Sequence, residues 1–265
     1  MATVSSGRSV RTVSMDLQGD LATLLSKKIH LHDLVIGKTM QHVTVRILRM
    51  WEARNFKLNG TLMSLDMLFL DEKENVIQGS IFHRFIGKFK GHLEKGKMYL
   101  ISNFEVVPTY GFYKVTDNPF TIRFMETTKI VEVLEDICSI KDEKFRLHNY
   151  AESNKFVGTN IHLFDAVGQL LKVQDSNLED STSTERIVFL LLLQENESVR
   201  LTLWDNQASN FRQQFIKTNQ ENSVIVCTSL NPKMFAGKMH LSSTGATKTY
   251  INYELEAVQE FMKGK

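Results

Sequence analysis

Four aromatic residues stand in a spacing that could do chemistry. In Val199–Asp205, "VRLTLWD", the apolar residues Val199, Leu201 and Leu203 alternate with Arg200, Thr202 and Trp204. A strand sends successive side chains to opposite faces, so Trp204 shares the wet face with an Arg and a Thr. The same pattern recurs at an offset of 122 residues: "VIQGSIFHRFIGKF" (Val76–Phe89) overlays "SVRLTLWDNQASNF" (Ser198–Phe211) and sets Phe82 on Trp204. At that offset Tyr113 of "GFYKV" falls on Phe235 of "KMFAGKM". An exposed ring can stack a nucleobase without reading its identity, at about 1–3 kcal/mol per base. The bland alternative is that strand-end rings cap a core. Two pairs at one offset, with polar neighbours in phase, favour stacking.

Stacking needs phosphate-binding cations nearby, because phosphate charge supplies most nonspecific affinity. "RILRMWEARNFK" (Arg46–Lys57) carries four basic residues, one acid and two rings. Arg46 is in strand phase with Leu48 and Met50, whereas Arg49 is in phase with Ile47 and Trp51, so this strand is expected to bend or bulge. "KFKGHLEKGK" (Lys88–Lys97) is basic too and reads as a solvated loop. In the second half Arg200, Lys233 and Lys238 flank Trp204 and Phe235, a thinner complement, and Glu179 and Asp180 weaken it.

The elements that must hold these residues also repeat. Candidate strands are Val43–Met50, Leu62–Leu70, Val76–Phe82, Met98–Val106 and Gly111–Met125, with a helical segment at His83–Leu93. The second set is Ile161–Val173, Ile187–Leu193, Val199–Trp204, Ser223–Leu230 and Met234–Ser242, with a helix near Asn206–Phe215. Three strands, a helix and two more strands is the order of the OB-fold. The expected fold is therefore all-β with short helices, as two tandem five-stranded OB barrels. The expected division is a disordered arm over 1–21, a first OB domain over 22–134, an acidic linker over 135–144 and a second OB domain over 145–265. The turn-rich run Gln174–Glu185 is the loop between the second domain's first two strands.

Composition narrows the function classes. The chain has 265 residues, 42% of them hydrophobic and 23% charged, which is globular. Net charge is only +2, so basic character must be local. No apolar run approaches the roughly 20 residues that span a bilayer. Two distant cysteines, Cys138 and Cys227, make no disulfide framework. Without C-x-x-C there is no zinc ribbon, and His30 and His32 lack partners to complete a metal set. Nucleophile-elbow, phosphate-loop and zincin motifs are absent, so neither an enzyme nor a cofactor is expected. The acid-free stretch Met1–Met15 reads as an arm or as a transit peptide.

With these residues in hand, the chain resembles the large subunit of replication protein A. It resembles in particular that subunit's two central single-stranded-DNA-binding OB domains and its short plant paralogues. "RMWEARN" is similar to the first-strand loop of the family's first DNA-binding domain, which implies Arg49, Trp51 and Arg54 as groove residues. "GSIFHRFIGKF" implies Phe82 as a stacking ring, and "FYKVTDNPFTIRF" implies Tyr113, with Lys114 beside it, where the family has Phe. "VRLTLWDNQASNF" and "MFAGKMHLSS" imply Trp204 and Phe235. The resemblance implies single-stranded DNA as partner, work in replication, repair or recombination, and a nuclear location, with an organelle as the alternative. The family's zinc-ribbon assembly domain has no counterpart in this sequence, which leaves partnership with other subunits open. Single-stranded RNA binding and a protein-interaction role remain the rivals.

Overall fold

The structure is a computed structural model that describes residues 28–111, 113–134, 138–174, 178–194, 197–218, 223–251 and 254–263. The expected arm lies outside the described residues. Five strands, β1 (Gly37–Asn55), β2 (Thr61–Leu70), β3 (Val76–Phe82), β4 (Met98–Pro108) and β5 (Phe120–Val133), close a barrel in the order β1-β2-β3-β5-β4. A helical segment that includes α1 (Ile86–Phe89) lies between β3 and β4. This is an OB barrel.

Alternation explains the strands. In β3, Ile77, Gly79 and Ile81 face inward, while Gln78, Ser80 and Phe82 face out. Gly79 is required there: a Cβ would lie 2.1 Å from the Phe69 ring, which fills the barrel centre. The expected bulge in β1 is present, because pairing with β2 slips between Ile47 and Arg49. The slip buries Leu48 outside the barrel, in a second apolar cluster with Leu68, Leu70 and Leu100. The fifth strand differs from expectation. The sequence pattern predicts Gly111–Met125, whereas β5 begins at Phe120, because Tyr113 and Lys114 pair with the other barrel instead.

The second half repeats the plan with β6 (Phe164–Gln174), β7 (Ile187–Leu192), β8 (Ser198–Leu203), β9 (Val224–Phe235) and β10 (Lys238–Ser242). β10 pairs both β8 and β9, which closes the ring. The helix between the third and fourth strands is α3 (Asp205–Thr218); α2 (Tyr150–Asn154) precedes the barrel. Buried Arg212 of α3 donates to the carbonyls of Ser183 and Glu185 and so pins the loop between β6 and β7. Beyond the expected plan, β11 (Thr249–Ile251) extends the sheet beside β9, and α4 (Glu256–Lys263) packs Ala257 and Phe261 over it.

The two barrels share an interior. Cys138 and Ile140, in the stretch read from sequence as a linker, are buried against Leu48 and Leu100 of the first barrel. Leu163 and Ala246 of the second barrel join the same cluster. The Arg46 guanidinium fixes this path by donating to the Ile140 carbonyl, at 3.0 Å from Nε and 2.8 Å from Nη2.

Candidate nucleic-acid interface

A groove of about 900 Å³ crosses the outer face of the first barrel and ends on the second. Its floor is built from facing rows. Trp51 pairs with Asp66, Asp66 with Ser80, and Ser80 with Arg123, across β1, β2, β3 and β5. The second barrel contributes Asn231, Lys233 and the turn Ser243–Ala246.

Of the residues singled out from sequence, Trp51, Arg54, Tyr113, Lys114 and Lys233 line this groove. Trp51 is half-buried, with its ring edge against Gly245 of the second barrel. Phe82, 45% exposed, ends β3 opposite the groove residue Ser64, with the Arg84 guanidinium 5.5 Å from its ring centre. Tyr113 is 50% exposed in the loop between β4 and β5. Its backbone is left-handed (φ 64°), a costly state for a non-glycine, and is held by an N–H donated to the Asn160 carbonyl at 2.8 Å. Lys114 extends that link, donating its N–H to the Ile161 carbonyl and accepting from Leu163. These bonds tie the first barrel's loop to the second barrel.

The remaining residues form a face on the second barrel. Arg200 of β8, His240 of β10 and Lys233 of β9 are neighbours in one row. Phe235 pairs with Lys238 in the next row and lies 5.4 Å from the His240 ring. Ala236 and Gly237, at φ 49° and 74°, make the two-residue turn that carries Phe235 and Lys238 at its ends. Trp204 is 42% exposed and follows β8 directly. Its indole N–H donates to Ser242 Oγ at 3.1 Å, and its backbone N–H donates to Ser243 Oγ at 3.0 Å. Ser243 and Lys233 line the groove, so this face adjoins its end, while Trp204, Phe235, Arg200 and Lys238 themselves stand outside its lining.

Arg49 corrects the sequence reading. It is 5% exposed and does not reach the groove. The bulge at Leu48 turns it toward the junction, where it donates to Ser229 Oγ at 2.8 Å and lies 3.5 Å from the Asp165 carboxylate of the second barrel. Arg54 keeps its place on the rim, but Glu52 holds its guanidinium at 2.6 Å and also takes Lys90 at 2.8 Å. Those two cations hold the Glu52 carboxyl below the ordinary carboxylate range. Among the described residues, Lys57, Lys114 and Lys233 line the groove without an acidic partner.

Sequence reasoning missed two groove features and one on the adjoining face. Tyr110 is 83% exposed and lines the groove, and only its nearness to Tyr113 could have marked it. Asp66 is a carboxylate on the floor, which no basic-patch search finds. His240 joins the cationic row, and burial followed by the Arg200 charge pushes its imidazole below the usual histidine value. Among the described residues no cluster of His, Cys, Asp or Glu could hold a metal.

Fold and groove together define a tandem OB-fold protein. Residues 32–147 match the family model described as "Domain of unknown function DUF223". The chain is similar to plant replication protein A 70 kDa DNA-binding subunits. It is 24% identical over 217 residues to one from Arabidopsis thaliana, which covers 80% of this chain and 34% of that protein. It is 25% identical over 218 residues to another from Oryza sativa subsp. japonica, covering 80% and 22% respectively. Among solved structures, one described as "Structure and Conformational Change of a Replication Protein A Heterotrimer Bound to ssDNA" aligns with 88% of this chain and 53% of that chain. Its TM-score is 0.53 at 18% identity, a likeness of fold. The resemblance to the large subunit read from sequence is therefore borne out, and the chain spans about a third or less of the length of these curated relatives.

Proposed function

We propose that this chain binds single-stranded DNA along both barrels and catalyses no reaction. The observation that carries this is the single groove lined by residues of both barrels, with Trp204 bonded through its backbone to the lining residue Ser243. Phe82, Tyr113, Trp204 and Phe235 are the stacking rings. Lys57, Lys114 and Lys233 take phosphates along the groove, and Arg200 and Lys238 take them on the second barrel's face. Two modest sites on one rigid frame gain through effective concentration. The similarity to replication protein A subunits supports a role in DNA replication, repair or recombination in the nucleus, and other subunits of that assembly as partners. Titrating labelled oligo-dT, oligo-rU and duplex DNA tests the reading. Binding confined to oligo-rU would make the ligand RNA, and binding to none would make the barrels a protein-interaction module.

Salt dependence locates the phosphate contacts. For single strands, the slope of log K against log salt changes by about 0.7 per phosphate neutralised. Lys57→Ala, Lys114→Ala and Lys233→Ala together are expected to make it shallower by about 2. Arg54→Ala is expected to change it less, because Glu52 already occupies that guanidinium. An unchanged slope in the triple variant would remove these lysines from the phosphate path.

Binding should also tighten in mild acid. His240 is held below its usual value in the free protein and is neutral at pH 7. A phosphate beside Arg200 and Lys233 favours the imidazolium and raises that value, so binding takes up a proton. Affinity is expected to rise as pH falls from 7 toward 5.5, and His240→Gln to flatten the rise. Equal pH profiles for the two proteins would exclude His240 from the contact.

A further inference from the structure

Asp66 is out of place in a groove for a polyanion. Its carboxylate lines the floor, is 8% exposed, and forms no ion pair with Lys or Arg among the described residues. Neutral donors hold it instead: Ser80 Oγ donates to Oδ1 at 2.7 Å, Gln78 Nε2 donates to Oδ2 at 3.2 Å, and the Ser64 hydroxyl is a third donor. Burial pushes its carboxyl above the usual aspartate value. A buried, unpaired carboxylate is costly to a fold. It also repels a phosphate, so a strand in this groove must keep its backbone over the rim, near Lys57 and Lys114, and turn its bases to the floor.

We propose that the floor of the first barrel is a base-reading subsite selective for guanine, with Asp66 accepting from the guanine N1–H and N2 amino group. This rests on the single-strand binding reading above. An ionised carboxylate only accepts, and its two oxygens offer about four lone-pair sites; Ser80 and Gln78 keep two, and the Ser64 hydroxyl, which can turn away, yields its site to the guanine fork. Guanine presents two adjacent donors on its Watson–Crick edge. Cytosine and adenine set their amino group beside an acceptor nitrogen, and thymine sets its imino group between two carbonyls. Those acceptors face the carboxylate lone pairs and are repelled. In a single strand this edge is free to be read. A paired N–H···O fork to a carboxylate is charge-assisted and directional. Trp51, the neighbour of Asp66 in the β1–β2 register, gives a ring beside the same base.

The test uses the full chain and three DNA probes: an oligo-dT tract, the same tract with dispersed guanines, and that tract with each guanine replaced by inosine. Inosine lacks only the N2 amino group. Inosine keeps the N1–H bond and loses the N2 bond, so the guanine tract is expected to bind about 10- to 150-fold more tightly than the inosine tract, the worth of one hydrogen bond to a charged group. Asp66→Asn, similar in shape but with one acceptor traded for a donor, is expected to erase that difference while still binding oligo-dT. Equal binding of the guanine and inosine tracts by the unmodified protein overturns the subsite and leaves single-strand binding intact. Binding of none of the three overturns both. The unmodified protein suffices for this comparison if the variant does not fold.

Discussion

Replacing Phe82 and Trp204 together by Ala is expected to weaken single-strand binding by about 2–6 kcal/mol, at about 1–3 kcal/mol for each base that loses its ring. That is about 1.5 to 4 decades in affinity. Phe82 ends β3 and Trp204 directly follows β8, in different barrels, so their effects should add. Stability should fall far less than the roughly 3–5 kcal/mol that a core aromatic costs when cut to Ala. Both rings are nearly half exposed, and the inward positions beside them belong to Ile81 and Leu203. Trp204 also loses its indole bond to Ser242, which is worth about 1 kcal/mol. Polarisation titration and thermal melts on the same samples separate the two terms. Quenching of Trp204 by oligo-dT in a Trp51→Phe background gives an independent signal. A double variant that melts early and binds normally when folded would make these rings core caps.

The sequence showed most where local and global demands agree. β3 occupies the expected Val76–Phe82, because strict alternation leaves one face to Ile77, Gly79 and Ile81. The same logic located β8, which ends one residue before the exposed Trp204. Legibility failed where the second barrel decides the outcome. Residues 113–115 read as part of the fifth strand, since Tyr113 and Val115 alternate with Lys114. The backbone partners of Tyr113 and Lys114 are instead Asn160, Ile161 and Leu163, more than 40 residues on, and no local period encodes that pairing. Arg49 read as a groove cation because "RMWEARN" resembles the family's first-strand loop. The bulge beside it was legible, but not the direction in which it would turn the side chain. The acidic composition of Glu132–Glu143 concealed Cys138 and Ile140, two apolar residues enough to dock the segment on the first barrel. Asp66 was invisible for a different reason: a lone acid in a strand is chemically informative only once the groove above it exists.

Arg49 now carries a prediction about the junction rather than about DNA. Its partner Asp165, 3% exposed, is the hub: Oδ1 accepts the Ser229 N–H at 2.8 Å, Oδ2 accepts the Arg146 N–H at 2.8 Å, and Arg49 Nη1 lies 3.5 Å from Oδ1. Asp165→Ala would leave two backbone donors without their acceptor and the buried Arg49 guanidinium without its counter-charge, although Ser229 Oγ still accepts from it. Breaking a buried pair by removing one member costs about 3–5 kcal/mol, and that loss is expected in denaturant melts. Arg49→Met in the same chain should recover part of it, because the uncompensated charge goes with the guanidinium. The functional effect follows from geometry. The groove is lined from both barrels, so loosening the junction lowers the effective concentration of one site for a strand held by the other. Long oligonucleotides should therefore lose more affinity than short ones that fill a single barrel. X-ray scattering should show a broader distribution of barrel separations in Asp165→Ala. A variant with unchanged stability, unchanged scattering and equal losses for long and short strands would show that the apolar cluster around Ile140 and Leu163 alone fixes the two barrels.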